Sequence, residues 1–156
     1  MKPLYIFDMD GTLSLIDHRV PILQTKDPDR WDKFYSLCHL DKPNKPVIKV
    51  MEALYRASNE IWVVTGRREQ ERKATELWLS KYAGFMGLYF KLHPERLVMR
   101  SNGDFTKDYI LKEQWLNLML EADKNRLMGV FEDRQSVVDM YRRNNITVFQ
   151  VAKGNF

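Results

Sequence analysis

The sequence predicts an α/β fold: a three-layer sandwich on a parallel sheet, with a small cap insertion near its start. Three observations predict it. Short apolar runs rich in β-formers alternate with amphipathic stretches, the pattern of strands joined by crossover helices. Two runs, Leu4-Tyr5-Ile6-Phe7 and Ile61-Trp62-Val63-Val64, are apolar at every position, as in strands covered on both faces. Acidic or small polar residues directly follow predicted strands, where the sites of such sheets lie.

The first strand, Leu4 to Phe7, ends at Asp8. From about Ser14 to Pro46 the chain carries Pro21, Pro28, Pro43 and Pro46 among many charges, without sustained periodicity. This reads as an irregular insertion, a cap or flap over about residues 14–45. One short helix is expected around Pro28 to Cys38, capped by Asp27 or Asp29. Pro46 to Ser58 spaces Val47, Val50, Met51, Leu54 and Tyr55 at helical intervals, with Pro46 suited to a first turn. Glu60 to Thr65 is the second buried strand. Glu69 to Tyr82 is a charged amphipathic helix with Leu77, Trp78 and Tyr82 on its apolar side. Leu88 to Leu92 and Leu97 to Arg100 read as short strands. Lys107 to Glu121 is a helix striped by Ile110, Leu111, Trp115, Leu118 and Met119. Leu127 to Phe131 is a strand, Gln135 to Arg143 a helix and Ile146 to Val151 a final strand. No repeat or linker divides the chain, so residues 1–156 are read as a single domain.

Composition narrows the class. At 156 residues, 44% of them hydrophobic, the chain can bury a real core. No run approaches the ~20 apolar residues of a membrane span, and acidic residues follow the first apolar run at once, unlike a signal peptide. The expected location is the cytoplasm. The single cysteine, Cys38, cannot close an internal disulfide and is read as a packing residue. A net charge of +4 favours an anionic substrate.

The strand ends carry the chemistry. After the first strand stands Asp8-Met9-Asp10-Gly11-Thr12; after the second, Thr65-Gly66-Arg67; after the strand near Val130, Glu132-Asp133-Arg134. Lys107 opens a helix between them. Alone, an Asp-x-Asp pair is an ordinary solvated turn, Thr-Gly-Arg a turn with a surface arginine, and Lys107 a surface lysine. In parallel strands all four groups converge on one edge. Clustered carboxylates repel one another, and a divalent cation relieves the conflict. Hard oxygen ligands suit Mg2+, with Asp8, Asp133 and the backbone carbonyl of Asp10 as candidate ligands. One carboxylate of the Asp8/Asp10 pair can attack phosphorus while the other protonates the leaving oxygen. Lys107 and backbone amides would stabilise the negative transition state. Thr65 offers a hydroxyl, and Gly66 lets backbone approach a phosphate oxygen closely.

These four motifs in this order resemble the haloacid dehalogenase superfamily, over Asp8 to Asp133. A narrower resemblance is to the phosphatase domain of the bacteriophage polynucleotide kinase/phosphatase family. It lies in Arg19, Val63 to Arg67, Arg100-Ser101-Asn102-Gly103-Asp104, Lys107-Asp108, Asp133 to Arg143, and the terminal Gln150 to Phe156. The resemblance implies a magnesium-dependent phosphohydrolase that removes 3′-phosphates, or opens 2′,3′-cyclic phosphates, at DNA or RNA ends. It implies Asp8 as nucleophile and Asp10 as acid/base. Arg19 and Arg67 would hold the phosphate or shape its pocket, Thr65 and Lys107 would bind the transferring group, and Asp104 and Asp133 would support the site, Asp133 on the metal. Glu132 departs from the family's usual aspartate. No Gly-x-x-x-x-Gly-Lys-Ser/Thr phosphate loop occurs, so a kinase or ligase would be a separate partner. Two alternatives stay open: a phosphatase of nucleotides or other small phosphomonoesters, and an inactive nucleic-acid-binding protein. Trp31, Phe34 and Tyr35 beside Arg30 and Lys33 are read chiefly as sealing the insertion to the core, with stacking on a base as the other use.

Overall fold

The structure is a computed structural model that describes residues 1–154. Asn155 and Phe156, the last two positions of the terminal resemblance, lie outside the described residues. In chain order, β1 (Leu4–Phe7) leads to a two-strand ribbon of β2 (Ser14–Leu15) and β3 (Lys42–Pro43) that encloses α1 (Val20–Leu23) and α2 (Arg30–Ser36). Then follow α3 (Lys45–Arg56), β4 (Glu60–Arg68), α4 (Arg72–Tyr82), α5 (Phe85–Leu92), β5 (Leu97–Arg100), α6 (Asp108–Leu118), α7 (Glu121–Asn125), β6 (Leu127–Arg134), α8 (Gln135–Arg143) and β7 (Val148–Gly154).

Five strands form one parallel sheet in the order β5-β4-β1-β6-β7. β1 is central, with Phe7 opposite Val63 on one side and Phe131 on the other. Successive strand residues point to opposite faces, and both faces are covered. Phe7, Ile61, Val63 and Phe131 pack with Ile48 and Met51 of α3, Trp78 and Leu79 of α4, and Met86 and Phe90 of α5. Ile6, Val64 and Val130 pack with Leu116 of α6 and with Val137, Met140 and Tyr141 of α8. The result is a three-layer α/β sandwich. Among the described residues no helix is long and apolar enough to cross a membrane.

Several local expectations are corrected. Leu88 to Leu92, read as a strand, belongs to α5. A short apolar run does not distinguish a buried strand from a buried helix, and here Met86, Tyr89 and Phe90 all turn inward. The expected helix from Lys107 to Glu121 stops at Leu118, where Met119 and Leu120 turn extended before α7. Leu118, at the end of α6, and Leu77, on α4, are both exposed rather than on buried stripes. Asp29 stands at the start of α2 without a side-chain cap; its N–H instead donates to Asp27 Oδ1 at 2.8 Å.

Candidate active site

Asp8 follows β1 and is buried, its N–H donating to the Phe131 carbonyl at 2.9 Å. The chain then turns tightly through Gly11, whose φ of +87° lies in the left-handed region that favours glycine. A Cβ at Gly11 would also stand 2.2 Å from Asp133 Oδ2, so the turn sits directly against the acidic end of β6. Thr12 Oγ1 donates to Asp133 Oδ1 at 3.3 Å.

The lysine at the centre is Lys112, and this corrects the placement of Lys107. Lys107 immediately precedes α6, is exposed, and lines only the surrounding cavity. Asp108 and Lys112 lie one turn apart on the same face of α6. Lys112 is 1% exposed; its Nζ donates to Asp8 Oδ1 at 2.6 Å and to Glu132 Oε2 at 2.8 Å, and lies 3.5 Å from Asp108 Oδ2. Glu132 Oε1 accepts the N–H groups of Asp133 (3.0 Å) and Arg134 (3.1 Å). Glu132 thus splints the end of β6 and anchors the lysine, with both its oxygens engaged.

Carboxylate oxygens of Asp8, Glu132 and Asp133 lie within 4.8 Å of one another. Burial, then the neighbouring Glu132, pushes the Asp8 carboxyl well above the usual range, against the opposing pull of Lys112. Burial and the charge of Asp8 push Asp133 up to about 7. Such a cluster is electrostatically incomplete with one lysine among several acids, and hard oxygen donors at this spacing fit a divalent cation. With Glu132 occupied, Asp8 and Asp133 are the carboxylates suited to hold it. The Asp10 carboxylate is tied through Oδ1 to Arg19 and Arg67, which leaves its backbone carbonyl as the group suited to join such a site.

Arg19 and Arg67 are fully buried and do not line the cavity. Arg19 Nη2 and Arg67 Nε donate to Asp10 Oδ1 at 2.7 and 2.8 Å. Both also donate to Asp41, Arg19 through Nε and Nη2 at 2.7 Å and Arg67 through Nη2 at 2.8 Å. Ser14 Oγ donates to Asp41 Oδ2 at 3.0 Å. Two buried cations are thus balanced by two carboxylates. The network ties the insertion, through Arg19 and Asp41, to the ends of β1 and β4. Burial alone would raise the Asp10 carboxyl, but Arg67 and Arg19 outweigh it and hold Asp10 well below the usual carboxylate range.

A cavity of about 670 Å³ opens over these groups. Asp8, Asp10, Thr65, Gly66 and Asp133 line it, with Arg68, Arg100, Lys107 and Arg134 supplying positive charge. Thr65 Oγ1 accepts the Arg67 N–H at 3.2 Å. Gly66 meets α6 so closely that a Cβ would stand 2.4 Å from Asp108 Oδ1. Asp104 lies in the loop after β5, where its Oδ1 accepts the Thr106 N–H at 2.9 Å while lining the same cavity. Sequence reasoning missed Asp41, Asp108 and Lys112 as members of this cluster. The Asp108/Lys112 pair had a legible signal, opposite charges four residues apart on a predicted helix. Asp41 had none.

Residues 2–156 match the model of a family described as the polynucleotide kinase PNKP phosphatase domain. A protein described as a bifunctional polynucleotide kinase/RNA ligase, from Autographa californica nuclear polyhedrosis virus, is 29% identical over 148 residues, 94% of this chain and 19% of that protein. Among solved structures, a chain of the Pnkp1/Rnl/Hen1 RNA repair complex is 31% identical with a TM-score of 0.74, over 99% of this chain and 44% of that one. The class C acid phosphatase from Bacillus anthracis shares the fold, with a TM-score of 0.67 and 13% identity over 99% of this chain and 68% of that one. The chain spans less than half the length of the repair proteins it matches. On a match running almost end to end, it belongs to the PNKP phosphatase-domain family of the haloacid dehalogenase superfamily.

Proposed function

We propose that this chain is a magnesium-dependent phosphohydrolase that removes 3′-phosphates from polynucleotide ends through an aspartyl-phosphate on Asp8. The observation that carries the reading is the buried cluster at the strand ends: Asp8 held by Lys112 at 2.6 Å, with Asp133 beside it and a cavity above. When bound by Asp8 and Asp133, Mg2+ would neutralise phosphate charge and polarise the phosphoryl group.

A carboxylate oxygen of Asp8 attacks phosphorus, and the P–O3′ bond breaks. Lys112 fixes Asp8 Oδ1 and offsets the charge of the acids around it. Asp10 delivers a proton to O3′, then takes one from the water that cleaves the phosphoenzyme and releases phosphate. Arg19 and Arg67 keep Asp10 ionised before substrate arrives. The proton it gives in the first step therefore has to arrive with the substrate, carried on the monoanionic phosphate ester and passed to Asp10 as the ester enters. Thr65, Gly66 and the cationic side chains around the cavity would receive the phosphate oxygens. The product, a 3′-hydroxyl end, is the nucleophile a ligase needs. A kinase and a ligase are accordingly the proposed partners, in keeping with the names of the relatives.

The test is phosphate release, with and without magnesium, from a 3′-phosphorylated oligonucleotide, a 5′-phosphorylated one and a nucleoside monophosphate, with Asp8→Asn as control. Magnesium-dependent release from the 3′-phosphate end, abolished in Asp8→Asn, is the expected result. Preference for the monophosphate would move the protein to small phosphomonoesters.

A further inference from the structure

The cavity is larger and more aromatic than phosphoryl transfer requires. Its volume of about 670 Å³ suits a whole small-molecule ligand, for which roughly 300–1,000 Å³ is usual. Beyond the acidic residues its lining turns to Trp31, Tyr35, Phe105 and Tyr109. Tyr35 is already engaged: its hydroxyl donates to the Gly66 carbonyl at 3.1 Å, and the Arg68 guanidinium lies 4.9 Å from its ring. Trp31 and Phe105 are different. Phe105, in the loop between β5 and α6, is 89% exposed, and Trp31, in the first turn of α2, is 41% exposed. Neither ring belongs to the buried clusters on the two faces of the sheet. Trp31 is braced, stacked on Tyr35 at 5.9 Å and set edge-on to Phe34 at 5.9 Å, so its ring is held in place while still lining the cavity. Large apolar rings left in water beside a site for an anionic ester mark a surface that substrate covers. Nucleobases present flat π-faces to such rings, whatever their sequence.

We infer that Trp31 and Phe105 form a base platform, stacking on the nucleobase of the terminal nucleotide whose phosphate is removed. The inference rests on the polynucleotide reading for the identity of the leaving group and adds the residues that recognise it. The substrate class it specifies is a phosphomonoester on a base-bearing sugar, held by its base as well as by its phosphate.

Two substrate pairs test it. One is a 3′-phosphorylated oligonucleotide and the same strand with an abasic terminal sugar. The other is adenosine 3′-monophosphate and ribose 3-phosphate. The wild type is expected to favour the base-bearing member of each pair. Phe105→Ala and Trp31→Ala should each shrink that preference by about 5- to 100-fold, chiefly through KM. Phe105→Trp and Trp31→Phe, which keep a ring, should largely retain it. If Trp31→Ala folds poorly, Phe105→Ala decides, because its ring contributes little to packing. A base preference in the mononucleotide pair, lost in the alanine variants, with no phosphate release from either oligonucleotide, upholds the platform and overturns the polynucleotide reading. Equal kcat/KM within both pairs, or a preference the alanine variants leave intact, overturns the platform even if oligonucleotide ends are cleaved.

Discussion

Asp8 depends on a single buried cation. Lys112 is shared by Asp8 and Glu132 and stands near Asp108; Asp8, Glu132 and Lys112 are buried, and Asp108 is partly so at the cavity wall. Removing one member of a buried ionic cluster leaves uncompensated charge, which costs about 3–5 kcal/mol. Lys112→Met is therefore expected to destabilise the protein by that order and to lower phosphate release by at least ~10²-fold, since Asp8 loses its fixed orientation. Lys107→Ala is expected to leave the urea midpoint unchanged and to raise KM for an oligonucleotide, because this exposed side chain lines only the cavity. Urea titrations and initial rates on the two variants separate the roles. Equal losses in both, or a greater loss of turnover in Lys107→Ala, would return the central role to Lys107.

At the scale of elements, positions depend on where helices begin and how closely they pack. α4 and α5 approach so tightly at Gly87 that a Cβ there would stand 2.3 Å from the Ser80 Cα. Backbone cannot give way as a flexible side chain does. Gly87→Ala is accordingly expected to cost about 1–3 kcal/mol by overpacking, read as a lower denaturation midpoint with KM unchanged because the helix pair lies away from the cavity. Unaltered stability would mean that α5 shifts freely on α4. The same dependence explains what was legible in the sequence. Asp8, Asp10, Thr65 and Asp133 could be located because each comes just after an apolar run, and the point where such a run stops is visible, even though β4 and β6 continue past it. The lysine could not be chosen this way. Starting α6 one residue early, at Lys107 instead of Asp108, sets that residue at the head of the helix and hides the one a turn later. The strand expected at Leu88 to Leu92 failed because a short apolar run fits either element. Asp41 was illegible for a further reason. It lies in the irregular insertion, and only the folded chain brings it to Arg19 and Arg67 across 22 and 26 positions.

The whole molecule places several acids at one edge of a buried sheet, and its stability carries the consequence. Asp133 is pushed up to about 7 by burial and by Asp8, and Glu132 is likewise pushed up to about 7, chiefly by burial. A carboxyl of ordinary pKa, about 4, is already ionised in the unfolded chain at pH 6, whereas in the fold these groups still favour the proton. Their contribution is therefore fully present below about pH 4 and is lost as pH rises through about 7. Metal-free protein should melt at a lower temperature at pH 8 than at pH 6 on this account. A divalent cation reverses the sign, because it binds the ionised carboxylates and protons compete with it below about 7. Magnesium at about a hundredfold excess over its dissociation constant at pH 8 should raise Tm by roughly 5–10 °C. The same concentration at pH 6 should raise it much less. Thermal melts with magnesium and with chelator at both pH values, on the wild type and on Asp133→Asn, measure this. Asp133→Asn should lose the magnesium gain and weaken the metal-free pH dependence together, leaving only the share that Glu132 carries. A magnesium gain of equal size at pH 6 and pH 8, or one that survives in Asp133→Asn, would mean that the cation is held by other groups and that the raised carboxyl of Asp133 is not what a metal relieves.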